Sequence, residues 1–209
     1  MRTTRPASAL LRQADEALAE ARWVAALDLS ARAVDAADRL PEGTDRSHAR
    51  RLHAEALYWA DRDDDAARMA DEAMRVAHAA RSPGEEALAA VMLVIVLSAR
   101  CDFVEALRQS KRATELADRA EHPSTLRTAL AEHALVLSRV GDGQGSREAF
   151  AQAFAIPVGD QPARWELRGL LNVASADAAA GRYAAALDAL ARGEALAAAG
   201  GVEASWTIA

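Results

Sequence analysis

The chain has 209 residues, of which 51% are hydrophobic, 27% charged and only 4% aromatic, and 55 of them are alanine, the strongest helix former. Eleven glycines and six prolines are too few, and the apolar fraction too high, for a disordered or collagen-like chain. A formal charge of −6 gives no general attraction to phosphate backbones or anionic lipid.

The N-terminal run Met1-Arg2-Thr3-Thr4-Arg5-Pro6 leads into polar sequence rather than an apolar core segment, so no secretory signal is read there. The single Cys101 excludes an internal disulfide and a multi-cysteine zinc site and fits a reducing cytoplasm. Helix-period stretches then follow in pairs: roughly 7–20 and 24–39, 47–60 and 64–80, 85–99 and 104–120, 125–139 and 146–155, and 164–179 and 184–198. Between the members of each pair lies a short turn piece. The pieces start at Ala21, Asp61, Cys101, Gly141 and Gly181, a constant 40-residue step. The sixth position of each piece is Ala26, Ala66, Ala106, Ser146 and Ala186, and seven residues further on come Ala33, Ala73, Ala113, Ala153 and Gly193. Small residues one helical face apart let two helices approach closely. Pro41, Pro83, Pro123, Pro157 and Pro162 fall between the pairs, where proline can end or start a helix but not interrupt one. Each pair is therefore a helical hairpin. The longest apolar run, Ala87 to Leu97, has eleven residues and reads as a buried helix, too short to cross a bilayer.

The piece Gly181-Arg182-Tyr183 with Ala186, Leu190 and Gly193 resembles the tetratricopeptide repeat (TPR), as do Ala14, Ala54, Val94, Ala134 and Ala174, seven residues before each turn. The resemblance covers nearly the whole chain. One departure is the period, longer than the usual one of about 34 residues. The others are the missing turn aromatic between Gly141 and Gly145, and Asp61 and Asp63 in place of Gly and an aromatic. The resemblance implies an all-α, right-handed α-solenoid of five TPR-like hairpins in one domain, 1–209, with repeats at approximately 7–46, 47–86, 87–126, 127–166 and 167–206. A weaker, compositional resemblance is to TPR-like sensor regions of bacterial transcription regulators. The register places a sixth first helix near 204, so the last hairpin is expected to be covered by further sequence, by self-association as a homodimer, or by the C-terminal tail.

Other signals read as structure. Gly141-Asp142-Gly143-Gln144-Gly145-Ser146 suggests a phosphate loop but lacks the following Lys and falls at a hairpin turn. Asp61, Asp63, Asp65 and Glu72 match four positions of a calcium loop, with Ala66 where glycine is required. His48, His53, His78, His122 and His133 form no pair of metal-ligand spacing. No catalytic constellation and no cofactor or metal site is read.

The resemblance implies that the first helix of each hairpin lines a concave groove. The groove residues are His48, Arg51, Glu55, Tyr58, Trp59, Leu88, Val91, Ile95, Leu135, Arg139, Arg168 and Asn172, an apolar floor among aromatic and arginine side chains of the kind that dominate binding energies. The expectation is a non-enzymatic, regulatory, cytoplasmic module that captures a protein or peptide segment, with no direct nucleic-acid or membrane contact. A small-molecule receptor and a self-associating scaffold are the alternatives, and the clamp that holds an acidic chaperone tail is not expected because Glu55 follows Arg51.

Overall fold

The computed structural model describes residues 6–39, 43–157 and 163–200. Pro41, Pro162 and the sixth first helix near 204 lie outside the described residues. The described helices are α1 (Pro6–Ala19), α2 (Trp23–Asp38), α3 (Thr44–Trp59), α4 (Asp63–Ala79), α5 (Pro83–Ala99), α6 (Phe103–Arg119), α7 (Pro123–Arg139), α8 (Gly143–Ala155), α9 (Ala163–Ala179) and α10 (Tyr183–Gly200), with no strand among the described residues. The even-numbered helices start at 23, 63, 103, 143 and 183, which keeps the 40-residue step of the sequence.

The turn pieces explain that regularity. Ala21, Asp61, Cys101, Gly141 and Gly181 all have positive φ, between 52° and 90°, as do Arg81 and Glu121 in the turns between repeats. One left-handed residue reverses the chain and satisfies the last free carbonyls of the preceding helix. At Cys101, for example, its N–H donates to Ser98 O at 3.1 Å and the next N–H, of Asp102, donates to Leu97 O at 3.0 Å. The same two bonds recur after α1, α3, α4, α7 and α9. Pro83 and Pro123 then open α5 and α7 at the first turn, where a missing N–H costs nothing. Asp142 caps α8 by accepting from Gly145 N–H at 2.8 Å, and a Cβ on Gly145 would sit 2.5 Å from the Asp142 carboxylate and push it aside. The glycine-rich segment thus holds its own carboxylate where a phosphate would have to bind.

Consecutive helices pack on one another from α1 to α8 and again between α9 and α10, and each odd-numbered helix also touches the next odd one, so α1, α3, α5, α7 and α9 form an inner layer and the even helices an outer one. The small-residue positions are the seams. Ala26, Ala66 and Ala106 are 0% exposed, Ser146 3% and Ala186 6%, so helix backbones meet closely there. α5, in the middle, is buried on all sides from Ala89 to Leu97, which removes the amphipathic stripe expected of a surface helix.

A second period, twice as long, is superposed on the first. Ser30 meets His53 Nδ1 at 3.0 Å and, two repeats on, Ser110 meets His133 Nδ1 at 2.8 Å. The same places in the intervening joints hold Ala70 with Leu93 and Phe150 with Val173. Likewise Ser47 donates to Ala73 O at 2.9 Å and Arg127, again two repeats on, to Ala153 O at 3.0 Å. Arg127 also grips Glu166 at 2.7 Å and lies 4.7 Å from the Phe154 ring, tying the short α8 to α9. At these places in the repeat, polar and apolar pairs therefore alternate along the array.

The turn geometry sets the expected effect of two substitutions. Cys101→Gly should raise the denaturation midpoint by the equivalent of about 1 kcal/mol, because it removes the side-chain cost of the left-handed conformation, and Gly141→Ala should lower it by a similar amount. Burial, reinforced by Arg62 for His53 and by Lys111 for His133, holds both imidazoles below their ordinary value of 6.5, against the opposing pull of Asp65 and Asp35 on the one and Asp142 on the other. The unfolded chain therefore takes up protons first, and stability should be constant above neutral pH and fall as the pH drops below 6.5. The double change Ser110→Ala with His133→Leu, which copies the Ala70–Leu93 joint, should flatten that slope in urea titrations at pH 7.5 and 5.5.

Candidate binding face on the inner helices

The first-helix positions come together on the inner layer, but most lie under its surface. Val91 and Ile95 are 2% exposed and Leu135 8%, while Leu88 is half-buried. The apolar floor is thus covered by the array's own curvature. Charge substitution at Ile95 would test the fold rather than a groove. Arg51, Glu55 and Asn172 are also buried, and His48, Tyr58, Trp59 and Arg168 are half-buried, with Arg139 exposed. What stays accessible is a rim formed by the C-terminal ends of the first helices. There Trp59 stacks on Trp23 at 4.9 Å, Tyr58 meets Trp59 edge-on at 5.0 Å, and Arg139 donates to Ser175 at 3.2 Å.

Beneath the rim lies a network of charges. Arg168 on α9 donates to both oxygens of Glu132 on α7, at 2.6 and 3.3 Å, and Asn172, one turn on, donates to the same carboxylate at 3.0 Å. Arg168 also reaches across the inner layer to α3, where its guanidinium lies 5.9 Å from the centroid of the Tyr58 ring. Burial alone would favour the neutral guanidine, but the Glu132 carboxylate and Tyr58 outweigh it and raise the Arg168 value further. The arginine is a fixed cation. Glu132, 2% exposed, is the residue on which this knot depends. The repeat register puts Glu132 in the place of Arg12, Leu52, Met92 and Asn172, and a carboxylate where the second and third repeats bury apolar side chains is the signal that could have found it.

A second charged pair is looser. Arg51 on α3 and Glu85 on α5 approach to 3.6 Å, and Arg51 Nε and Glu85 Oε2 are both buried without a hydrogen-bond partner. His48 stands beside them, and burial and then Arg51 lower its basicity against the opposing charges of Glu85, Asp15 and Asp45. A buried donor and acceptor left facing each other are suited to exchange partners with an incoming polar group.

Asp65 of the calcium-loop pattern is held by Arg62 and Arg68, which keep its carboxyl below the usual range. No group of three or more metal-ligating side chains occurs among the described residues, and none of the described helices is long and apolar enough to cross a membrane.

No protein-family model matches the chain, and no curated protein matches it by sequence. Solved structures match it in fold. A Rap protein complexed with Competence and Sporulation Factor superposes with a TM-score of 0.76 at 15% identity, over 94% of this chain and 56% of the Rap chain. The Rap conjugation gene regulator of plasmid pLS20, in complex with the Phr* peptide, gives 0.72 at 15%, over 90% and 52%. The TPR-like repeats of a kinesin light chain homologue from Podosopora anserina give 0.64 at 18%, over 95% and 98%. This chain spans little more than half the length of those two Rap chains. At these identities the likeness is one of architecture, and the architecture is a TPR-like solenoid.

Removing the anchor of the inner network gives a test of its role. Glu132→Ala leaves the buried Asn172 and the half-buried Arg168 without their carboxylate and should cost about 3 kcal/mol in chemical denaturation. Tyr58→Ala, which removes the ring beside the Arg168 guanidinium, should cost at least about 1 kcal/mol.

Proposed function

We propose that this chain is a non-enzymatic, peptide-binding regulatory module that takes an extended protein segment along its inner layer, entered at the rim of Tyr58, Trp59 and Arg139. The observation that carries this reading is the Arg51–Glu85 pair, where a buried donor and a buried acceptor face each other 3.6 Å apart without a hydrogen bond. In an extended segment the N–H and C=O of a single residue point to the same side, so its backbone offers an acceptor to Arg51 and a donor to Glu85 together. The aromatic rim adds rigid side chains of the sort that anchor peptides. Two structural neighbours, the Rap proteins, are complexed with Competence and Sporulation Factor and with the Phr* peptide, which supports a peptide as the ligand class. The setting is cytoplasmic, and the partner is a protein or peptide without direct nucleic-acid or membrane contact, in keeping with the net charge of −6.

The loose pair and the tight knot divide the work. Arg51 and Glu85 gain hydrogen bonds on binding, whereas Arg168, Glu132 and Asn172 already have theirs and hold the inner layer in shape. Specificity then rests on the rim and on the Arg51 region.

The test is selection of peptides from a displayed random library on the intact chain, followed by calorimetric titration. Selected peptides should bind the parent and lose roughly tenfold or more in affinity on Arg51→Ala or Trp59→Ala. A library that yields no binder, or peptides whose affinity is unchanged by both substitutions, would overturn the reading.

A further inference from the structure

The last described helix leaves one face uncovered. On α10, Tyr183 is 69% exposed, Leu187 66% and Leu190 40%, and spacings of four and three put them on one stripe, which Glu194 continues. The corresponding positions of the first and third repeats are covered. Phe103 and Leu107 are half-buried and Ser110 is buried, with α7 lying over them, and Trp23, Leu27 and Ser30 stand the same way beneath α3. Among the described residues, no helix lies over the α10 stripe.

The opposite end of the array offers no match to the stripe, since on α1 Leu10 is half-buried and Gln13 exposed, and no large hydrophobic of that helix is exposed among the described residues. In the register of the Ser30–His53 joint, a head-to-tail copy would set Leu190 against Gln13 and Leu187 against Glu16.

The stripe is instead complementary to itself. If two α10 helices run antiparallel about a two-fold axis so that Leu187 faces Leu190 of the second copy, the same register puts Tyr183 opposite Glu194, and both contacts occur twice. The phenol then donates to the carboxylate beside a shared leucine cluster. Exposed Ala184, Ala191, Ala195 and Ala198 flank the stripe and permit close approach of the two backbones. We propose that α10 is a dimerisation helix through which two copies of this chain associate in an isologous, antiparallel pair. A closed two-fold contact of this kind stops at two. A helix of 18 residues is about 27 Å long, so the contact is small and the dimer reversible. The inner layer stays open in both copies, so this inference is independent of peptide binding.

Sedimentation velocity of the full chain over about 1–300 µM tests it, with a monomer–dimer equilibrium in the micromolar range as the expected result. Leu187→Asp should weaken dimerisation by roughly 100-fold with unchanged helicity by circular dichroism. Glu194→Arg, at an exposed position that leaves the core untouched, should weaken it by roughly tenfold, so the face remains testable even where the leucine variant loses structure. On a Cys101→Ser background, Leu187→Cys with Leu190→Cys should give a disulfide-linked dimer on mild oxidation. A monomer across the whole range, meaning that the cover is further chain or another protein, overturns the proposal. So does a dimer that survives both substitutions, or growth beyond two copies with concentration.

Discussion

Close approach of helix backbones at alanine positions is the constraint on which the rest of this molecule depends. Ala26, Ala66 and Ala106, with Ser146 and Ala186 in the same place, let each second helix lie tight against its neighbours. Larger residues there would separate the layers and change the small rotation from one hairpin to the next. The summed rotation is what brings α3 and α9 close enough for Tyr58 and Arg168 to touch. Curvature, and with it the burial of Val91, Ile95 and Leu135, is a consequence of side chains too small to resist it.

Tight curvature also explains the chemistry of the inner layer. A wide groove would leave its charged residues in water, where ion pairs contribute little. Here Arg168, Glu132, Asn172, Arg51 and Glu85 are drawn into a partly dry interior, where each must be matched or suffer a desolvation penalty. The first three are matched. The last two face each other without closing a hydrogen bond, and that difference separates a framework from a place where a ligand can gain something.

What could be read from the sequence was whatever is encoded locally. The 40-residue step, the turn positions and the small-residue seams were legible because a left-handed residue and an alanine act through their own few neighbours, and the structure places them at Cys101, Gly181 and Ala106 as expected. A substituted turn such as Ala21 was legible only by register, since alanine does not favour positive φ. The depth of the groove was not legible. Whether Ile95 lies open or 2% exposed depends on rotations accumulated over successive joints, which no single window of sequence contains. Glu132 escaped for a related reason: its partners are 36 and 40 positions away on another helix. The two-repeat alternation was present in the sequence, but the Ser30–His53 and Ser110–His133 bonds were needed to see it.

A simple stack of hairpins feels only its nearest neighbours, so it melts by unzipping from either end and its terminal repeats fray independently of the middle. The bridge from Tyr58 in the second repeat to Arg168 in the fifth breaks that rule, because it joins units with two others between them. Fraying of the last hairpin then costs a contact in the second, and loss of the second loosens the last. The inner contact couples repeats that are not neighbours, which favours more all-or-none unfolding than nearest-neighbour joints alone would give. The chain's search for the native state is slower too, because that contact must be found across half the length of the chain.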